Sequence, residues 1–229
     1  MERKYECINE TITIGDKTLY RIKALKDFGD VKADDLGGFL ENEDNLNHEG
    51  NCWISDNACV FGDAYVSDNA WVSGNARVYD DAIVFGEALI CGDARVFGKA
   101  QICGDACVSG KAQVFGDARI FDDTMVYDNA CVSGNACVSG DARVYNNAKI
   151  YSNAHITNIN DYIVIGPIGS RNDFTTFYLT KDKEIMVSCG CFNDTIDEFI
   201  KAVNKTYKNN DKYKKQYLST ITYAKTLID

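Results

Sequence analysis

From Asn51 to Asn158 the chain divides into 18 consecutive six-residue units with no insertion, and the fourth place of every unit is Val or Ile, from Ile54 through Val60 and Val66 to Ile156. The second place is Ala in all but two units, which carry the small residues Cys52 and Thr124. Places two and four are two residues apart, which in an extended chain puts both side chains on one face, so Ala and Val/Ile point inward together. Places one and six are mainly Asn, Asp and Gly, as in Gly62-Asp63, Gly74-Asn75 and Gly104-Asp105. These residues tolerate positive φ, so the chain turns after each short strand. Three turns close a triangle, so the 18 units predict six coils of 18 residues, and at about 4.8 Å per rung a prism about 29 Å tall. An amphipathic helix would not alternate so strictly, and pentapeptide and nonapeptide solenoids have other periods.

Val60-Phe61-Gly62-Asp63-Ala64-Tyr65 carries the aliphatic and small places of the hexapeptide-repeat motif, and the repeat region resembles those proteins. The resemblance implies a left-handed parallel β-helix of triangular 18-residue coils, and homotrimers. This chain departs from the motif after the aliphatic place, where it has Phe, Tyr, Ser or Cys in most units; that side chain points outward, so the departure leaves the fold expectation intact.

The flanks read as caps, which an open β-helix needs because its terminal coils expose unpaired backbone. Residues 4–14 and 18–25 alternate around "IGDKT" as a hairpin, and Leu36-Gly37-Gly38-Phe39-Leu40 leads into the first coil. After Asn158 three strands are expected in "YIVIGPIGS", "FTTFYLT" and "EIMVSCGCF", the last two joined by Lys181-Asp182-Lys183. Thr195 and Glu198 form a capping-box signature, followed by Ile196, Phe199, Ile200 and Val203 at helical spacing. A second helix is expected from about Lys212 to Leu227, with Tyr213, Tyr217, Leu218, Ile221 and Ala224 as its stripe. Both stripes read as core packing. The expected organisation is an N-terminal hairpin cap (1–50), an all-β left-handed parallel β-helix (51–158) and a small α+β domain (159–229).

Charge and cysteine usage narrow the partners. A net charge of -10 argues against nucleic acid, whose phosphates require clustered Lys and Arg. "MERKYECINETITIGDKTLY" lacks the apolar core of a signal peptide and no window approaches a spanning helix, so a cytoplasmic protein is expected. In that reducing compartment the ten cysteines are expected as free thiols. Cys189-Gly190-Cys191 is too tightly spaced, and lacks a second pair, for structural zinc. Stacking by 18 places Cys91 on Ser109, Cys107 on Met125 and Cys103 on Phe121, so no cysteine ladder is expected.

Indexing by 18 also sorts the outward places into walls. One reads Trp53, Trp71, Leu89, Cys107, Met125, Arg143. Such an apolar strip calls for a cover, either a second copy or the C-terminal helices; Trp53, Trp71, Leu89 and Met125 are the expected homo-oligomer interface. A second wall stacks Phe61, Tyr79, Phe97, Phe115 and Tyr151 beside Arg77, Arg95, Gln113 and Lys149, predicting an aromatic ladder with cation–π contacts.

Candidate chemistry is sparse. Hexapeptide-repeat acyltransferases, by resemblance, place a catalytic His at a subunit interface beside an extruded loop and lay coenzyme A along the prism. Here His48 precedes the coils, His155 is outward in the last unit, and the uninterrupted repeat extrudes no loop to wall a cleft. Both read as structural; no catalytic residue is assigned, with His155 the weak candidate. Asp80-Asp81 and Asp122-Asp123 read as corner residues rather than calcium or acid-base sites. The preferred ligand site is "GPIGSRNDFTTFY" with "SCGCF". Gly166 and Gly169 permit a bend, Ser170 and Asn172 donate hydrogen bonds, Arg171 can fork onto a carboxylate or phosphate, and Cys189 and Cys191 lie on the next strand; Gly169, Ser170, Arg171, Asn172, Cys189 and Cys191 are the expected ligand residues. The competing reading is a surface turn in which Arg171 pairs with Asp173.

"RIKALKDF", "DLGGFLENEDNL", the hexads, "GPIGSRND" and "VSCGCF" together resemble phage and prophage proteins labelled acyltransferase-like, over nearly the whole chain. The expectation is a non-enzymatic, oligomeric binding protein, phage-encoded, that holds a small anionic, nucleotide-like ligand or a host protein, sequestration being one use. The alternatives are an acyltransferase using acetyl-coenzyme A, and a structural spacer or virion component. No cofactor is expected outside the acyltransferase alternative.

Overall fold

The computed structural model describes residues 2–228. Strands β1 (Tyr5–Ile14) and β2 (Lys17–Ala24) form the antiparallel hairpin, turning at Gly15, whose φ of 64° suits a residue without a Cβ. Strand β3 (Leu36–Leu40) pairs antiparallel with β2 and then parallel with the prism. The 18 strands β4 to β21, the first Trp53–Ile54 and the last His155–Ile156, occupy the third and fourth places of successive hexads. They stack 18 residues apart in parallel register, Ile90 on Val72 and beneath Val108 for example, giving a parallel β-solenoid of three walls.

Every inward Val or Ile from Ile54 to Ile156 is fully buried, and so is nearly every Ala beside it. These residues form one column, the largest core cluster of the molecule. The corners explain the choice of Gly and Asp. The sixth place of each hexad but the last has positive φ. Where that residue is Asp, its carboxylate takes the amide 18 residues on: Asp56 from Gly74 at 2.9 Å, Asp68 from Gly86 at 3.1 Å, Asp122 from Gly140 at 3.0 Å. The corner carboxylates therefore tie rung to rung.

The solenoid begins before the repeat becomes regular. Leu40 pairs beneath Val60 and Leu46 beneath Val66, both fully buried, so β3 and the segment after it make an irregular coil and the protein has about seven turns. The hairpin cap is continuous with one wall, as the nine-stranded sheet β1-β2-β3-β5-β8-β11-β14-β17-β20. The offset here is 20 residues rather than 18.

The C-terminal segment holds four strands rather than the three expected: β22 (Tyr162–Ile168), β23 (Asp173–Leu179), β24 (Ile185–Cys189) and β25 (Phe192–Thr195). "EIMVSCGCF" is broken at Gly190-Cys191, where Gly190 has φ of 62° and Cys189 pairs with Phe192, closing a two-residue hairpin. Helix α1 (Ile196–Thr206) starts at Thr195, whose hydroxyl accepts from the Glu198 amide at 3.4 Å; α2 (Asp211–Ala224) starts at Asn210. Both helices pack on one face of this sheet through Phe177, Val187, Phe199, Val203, Tyr217 and Ile221. The other face closes the prism, with Thr176 accepting from the Lys149 amide at 3.0 Å and the Tyr162 hydroxyl donating to the Arg143 carbonyl at 2.8 Å. Among the described residues no helix is long and apolar enough to cross a membrane.

Candidate functional site

The hairpins β22–β23 and β24–β25 bring the two ends of the proposed site together. A cavity of about 190 Å³ opens between them and α1, lined by Arg171 and Asp173 from the first turn, Cys189, Gly190, Cys191 and Phe192 from the second, and Phe199, Val203, Tyr207 and Tyr217 from the helices. Its walls are mostly aromatic and aliphatic. Tyr217 stacks on Tyr207 with centroids 5.5 Å apart and meets Phe199 edge-on at 5.7 Å. Burial, and then Cys189 and Tyr207, push the Tyr217 phenol well above its ordinary value, so it is a neutral donor here.

Arg171 stands at the mouth. Its Nη1 lies close over Gly190, 2.9 Å from where a Cβ would stand, and the positive φ of 62° is what favours glycine at that turn. Among the described residues Arg171 forms no ion pair, with Asp173 or with any other acid. Asp173 instead accepts from the Phe174 amide at 2.8 Å. The remaining turn residues are engaged in holding the loop. The Gly169 amide donates to Gln216 Oε1 at 3.1 Å, the Ser170 hydroxyl shares a 2.8 Å hydrogen bond with Tyr207, and the Asn172 amide donates to the Gly169 carbonyl at 3.3 Å. Cys189 Sγ accepts from the Thr175 hydroxyl at 3.3 Å, while Cys191 is exposed. Of the six expected ligand residues, Arg171, Cys189 and Cys191 thus line the cavity, whereas Gly169, Ser170 and Asn172 shape the turn that carries Arg171.

Sequence reasoning missed the helical wall. Phe199, Val203 and Tyr217 were legible as core stripes, but nothing in a stripe says that its edge stays open; Tyr207, between the two helices, carried no signal.

The histidines lie elsewhere. His48 stacks on Tyr5 with centroids 4.4 Å apart and its Nδ1 accepts from the Lys4 amide at 3.4 Å; burial pushes its pKa down. His155 sits half-buried on the third wall, in register with Cys137, and does not line the cavity.

The Trp wall needs a correction. Trp53 is 2 % exposed, met edge-on by Phe28 at 5.4 Å, with Tyr5 at 6.5 Å, so its own cap covers it and it is unavailable to a second copy. Trp71 is half-buried and donates to the Ser55 hydroxyl, while Leu89 and Met125 remain exposed. The C-terminal helices pack on their own sheet and leave this strip open.

The aromatic ladder stands as four rings, Phe61, Tyr79, Phe97 and Phe115, with centroids 5.0, 4.9 and 4.7 Å apart. Ser133 separates Tyr151 from it. The cation–π expectation fails for Arg77 and Arg95; among the described residues such contacts are made by Lys4, Arg21 and Lys212. Parallel stacking occupies the ring faces, leaving only edges to a neighbouring cation.

No curated protein matches the chain at a significant level. Residues 70–86 and 100–114 match the model of the YdcK beta solenoid repeat, and in these two stretches the protein is similar to that repeat family.

Proposed function

We propose that this protein is a binding module on a rigid stand: the solenoid fixes the C-terminal sheet and helices, and the cavity under Arg171 holds a small ligand with an anionic group and a flat apolar part. The observation that carries this reading is a guanidinium that forms no ion pair among the described residues, at the mouth of a cavity walled by Phe192, Phe199 and Tyr217. An arginine so placed supplies a forked donor for a carboxylate or phosphate, while the aromatic wall takes a ring. Nucleotide-like compounds combine both features. Calorimetry with nucleoside monophosphates, cyclic nucleotides and acetyl-coenzyme A tests it. Saturable binding of a nucleotide that falls at least tenfold in Arg171→Ala supports the reading, and no heat from any member of the panel ends it.

Self-association through Trp71, Leu89 and Met125 accompanies this proposal, because that strip is the apolar part of its wall left open by the cap. A monomeric mass in solution at micromolar concentration would remove it. The phage-encoded setting and sequestration of a host nucleotide rest on the resemblance alone, whereas a cytoplasmic location rests on the reading of the N-terminal segment. The acyltransferase alternative would need a base: neither histidine lines the cavity, and acetyl-coenzyme A in the same calorimetric panel addresses it.

A further inference from the structure

On the second wall, Arg77 and Arg95 occupy equivalent places of successive coils and pair in direct register. Both are exposed, and among the described residues neither forms an ion pair. Equivalent positions in a parallel stack are one rung, about 4.8 Å, apart, and like charges set directly opposite one another destabilise a sheet. A natural relief is a carboxylate in the next row, and the row beside them does contain one, Asp93. Its Oδ1 accepts from Asn75 Nδ2 at 3.1 Å, among the described residues it forms no ion pair with either arginine, and that same row brings a third cation, Lys111. Asn75, Arg77, Asp93, Arg95, Lys111 and Gln113 line an open groove of about 360 Å³ at the corner between two walls. On a chain whose net charge is -10, three cations lining a groove with one acid is a local inversion of sign.

We infer that the Arg77–Arg95–Lys111 groove binds a phosphate-type dianion, bridged between the two guanidiniums and neutralised further by Lys111. Two forks one rung apart present parallel N–H donors to a tetrahedral oxyanion, and a charge of two is needed to offset the unpaired arginines. The site is separate from the Arg171 cavity and does not depend on it.

The test uses the full chain in a buffer of low ionic strength. Inorganic phosphate is titrated by calorimetry, and the thermal midpoint is followed in parallel. Wild type, Arg95→Gln and Arg77→Gln are compared with Arg119→Gln, a lone arginine at the equivalent place of the third wall whose register neighbours are Gln101 and Cys137. Saturable binding in wild type and Arg119→Gln, weakened at least tenfold in Arg95→Gln and Arg77→Gln, is the expected result. With no oxyanion present, Arg95→Gln is expected to melt at or above wild type, because the like-charge pair is gone. Glycerol phosphate binding more tightly than inorganic phosphate would identify an ester as the physiological source, and equal binding would identify the free ion; either leaves the groove standing. The proposal is overturned if chloride at matched ionic strength reproduces the phosphate effect, if Arg95→Gln binds like wild type, or if Arg171→Ala abolishes the binding instead.

Discussion

Lys4 Nζ lies 3.1 Å from Cys52 Sγ and 2.9 Å from the Cys52 carbonyl, with the Glu49 and Gly50 carbonyls at 3.3 and 3.4 Å. Lys4 is only 1 % exposed, so one ammonium from the cap closes the entrance of the first regular coil. Burial pushes its pKa down and the Cys52 thiol up, consistent with an ammonium donating to a neutral thiol. Lys4→Met would leave the buried Cys52 carbonyl without this donor and is expected to cost about 2 kcal/mol, the usual penalty for an unsatisfied buried acceptor. Cys52→Ala restores the residue that most hexads carry at this place and should cost less. Urea midpoints at constant slope compare the two; Lys4→Met unfolding with wild-type stability would remove the capping role.

The ring ladder predicts a position effect. Phe97 stacks on Tyr79 and on Phe115, whereas Phe115 is the end ring of the stack because the next rung carries Ser133. Phe97→Ala loses two ring pairs and Phe115→Ala one, so the first should be the more destabilising by about 1 kcal/mol, the typical worth of one aromatic pair. Equal losses in chemical denaturation would mean that burial alone, without stacking, accounts for these rings.

Corner carboxylates give a third comparison. Asp122 has a φ of 59° and accepts from the Gly140 amide. Asp122→Ala loses the hydrogen bond while keeping a strained Cβ, which Asp122 already carries, in the left-handed region, an expected cost of about 1 kcal/mol. Asp122→Gly loses the bond without the strain and should fall between wild type and Asp122→Ala. The thermal midpoints decide; the reverse order would contradict the assignment.

Alkaline pH should unfold the protein through its buried acids. Burial raises the thiols of Cys52, Cys59 and Cys131 above 9.0 and the phenols of Tyr5 and Tyr162 above 10.0, with Tyr178 pushed up to about 12. A raised native pKa means that the unfolded chain loses its proton first, so these contributions are fully present below about 9 and disappear as pH climbs through the native values. Lys4 works the other way, since its lowered pKa adds stability as pH approaches 10.5, but it is one group against many. The urea midpoint is expected to decline above pH 9 and more steeply above pH 10; a midpoint constant from pH 8 to 10.5 would mean that these side chains are not held protonated.

The prism was legible because each of its decisions is local and repeated. The Ala and Val/Ile pair sets the inward face, the sixth-place Gly or Asp supplies the positive φ, and one period of 18 then fixes Phe97 on Tyr79 and Leu89 on Trp71. The cap hairpin and the start of α1 were readable for the same reason, since Gly15 and Thr195 act on their own neighbours. Folding decided whatever joins residues that share no period. The 20-residue offset of Leu40 and Leu46 hid the irregular first coil, and Trp53 lost its exposure to Phe28, which the repeat does not index. The cavity under Arg171 exists only because two hairpin turns and two helices converge. Periodic contacts are written into every repeat, whereas a site made of single contacts between distant segments is fixed only when the chain packs.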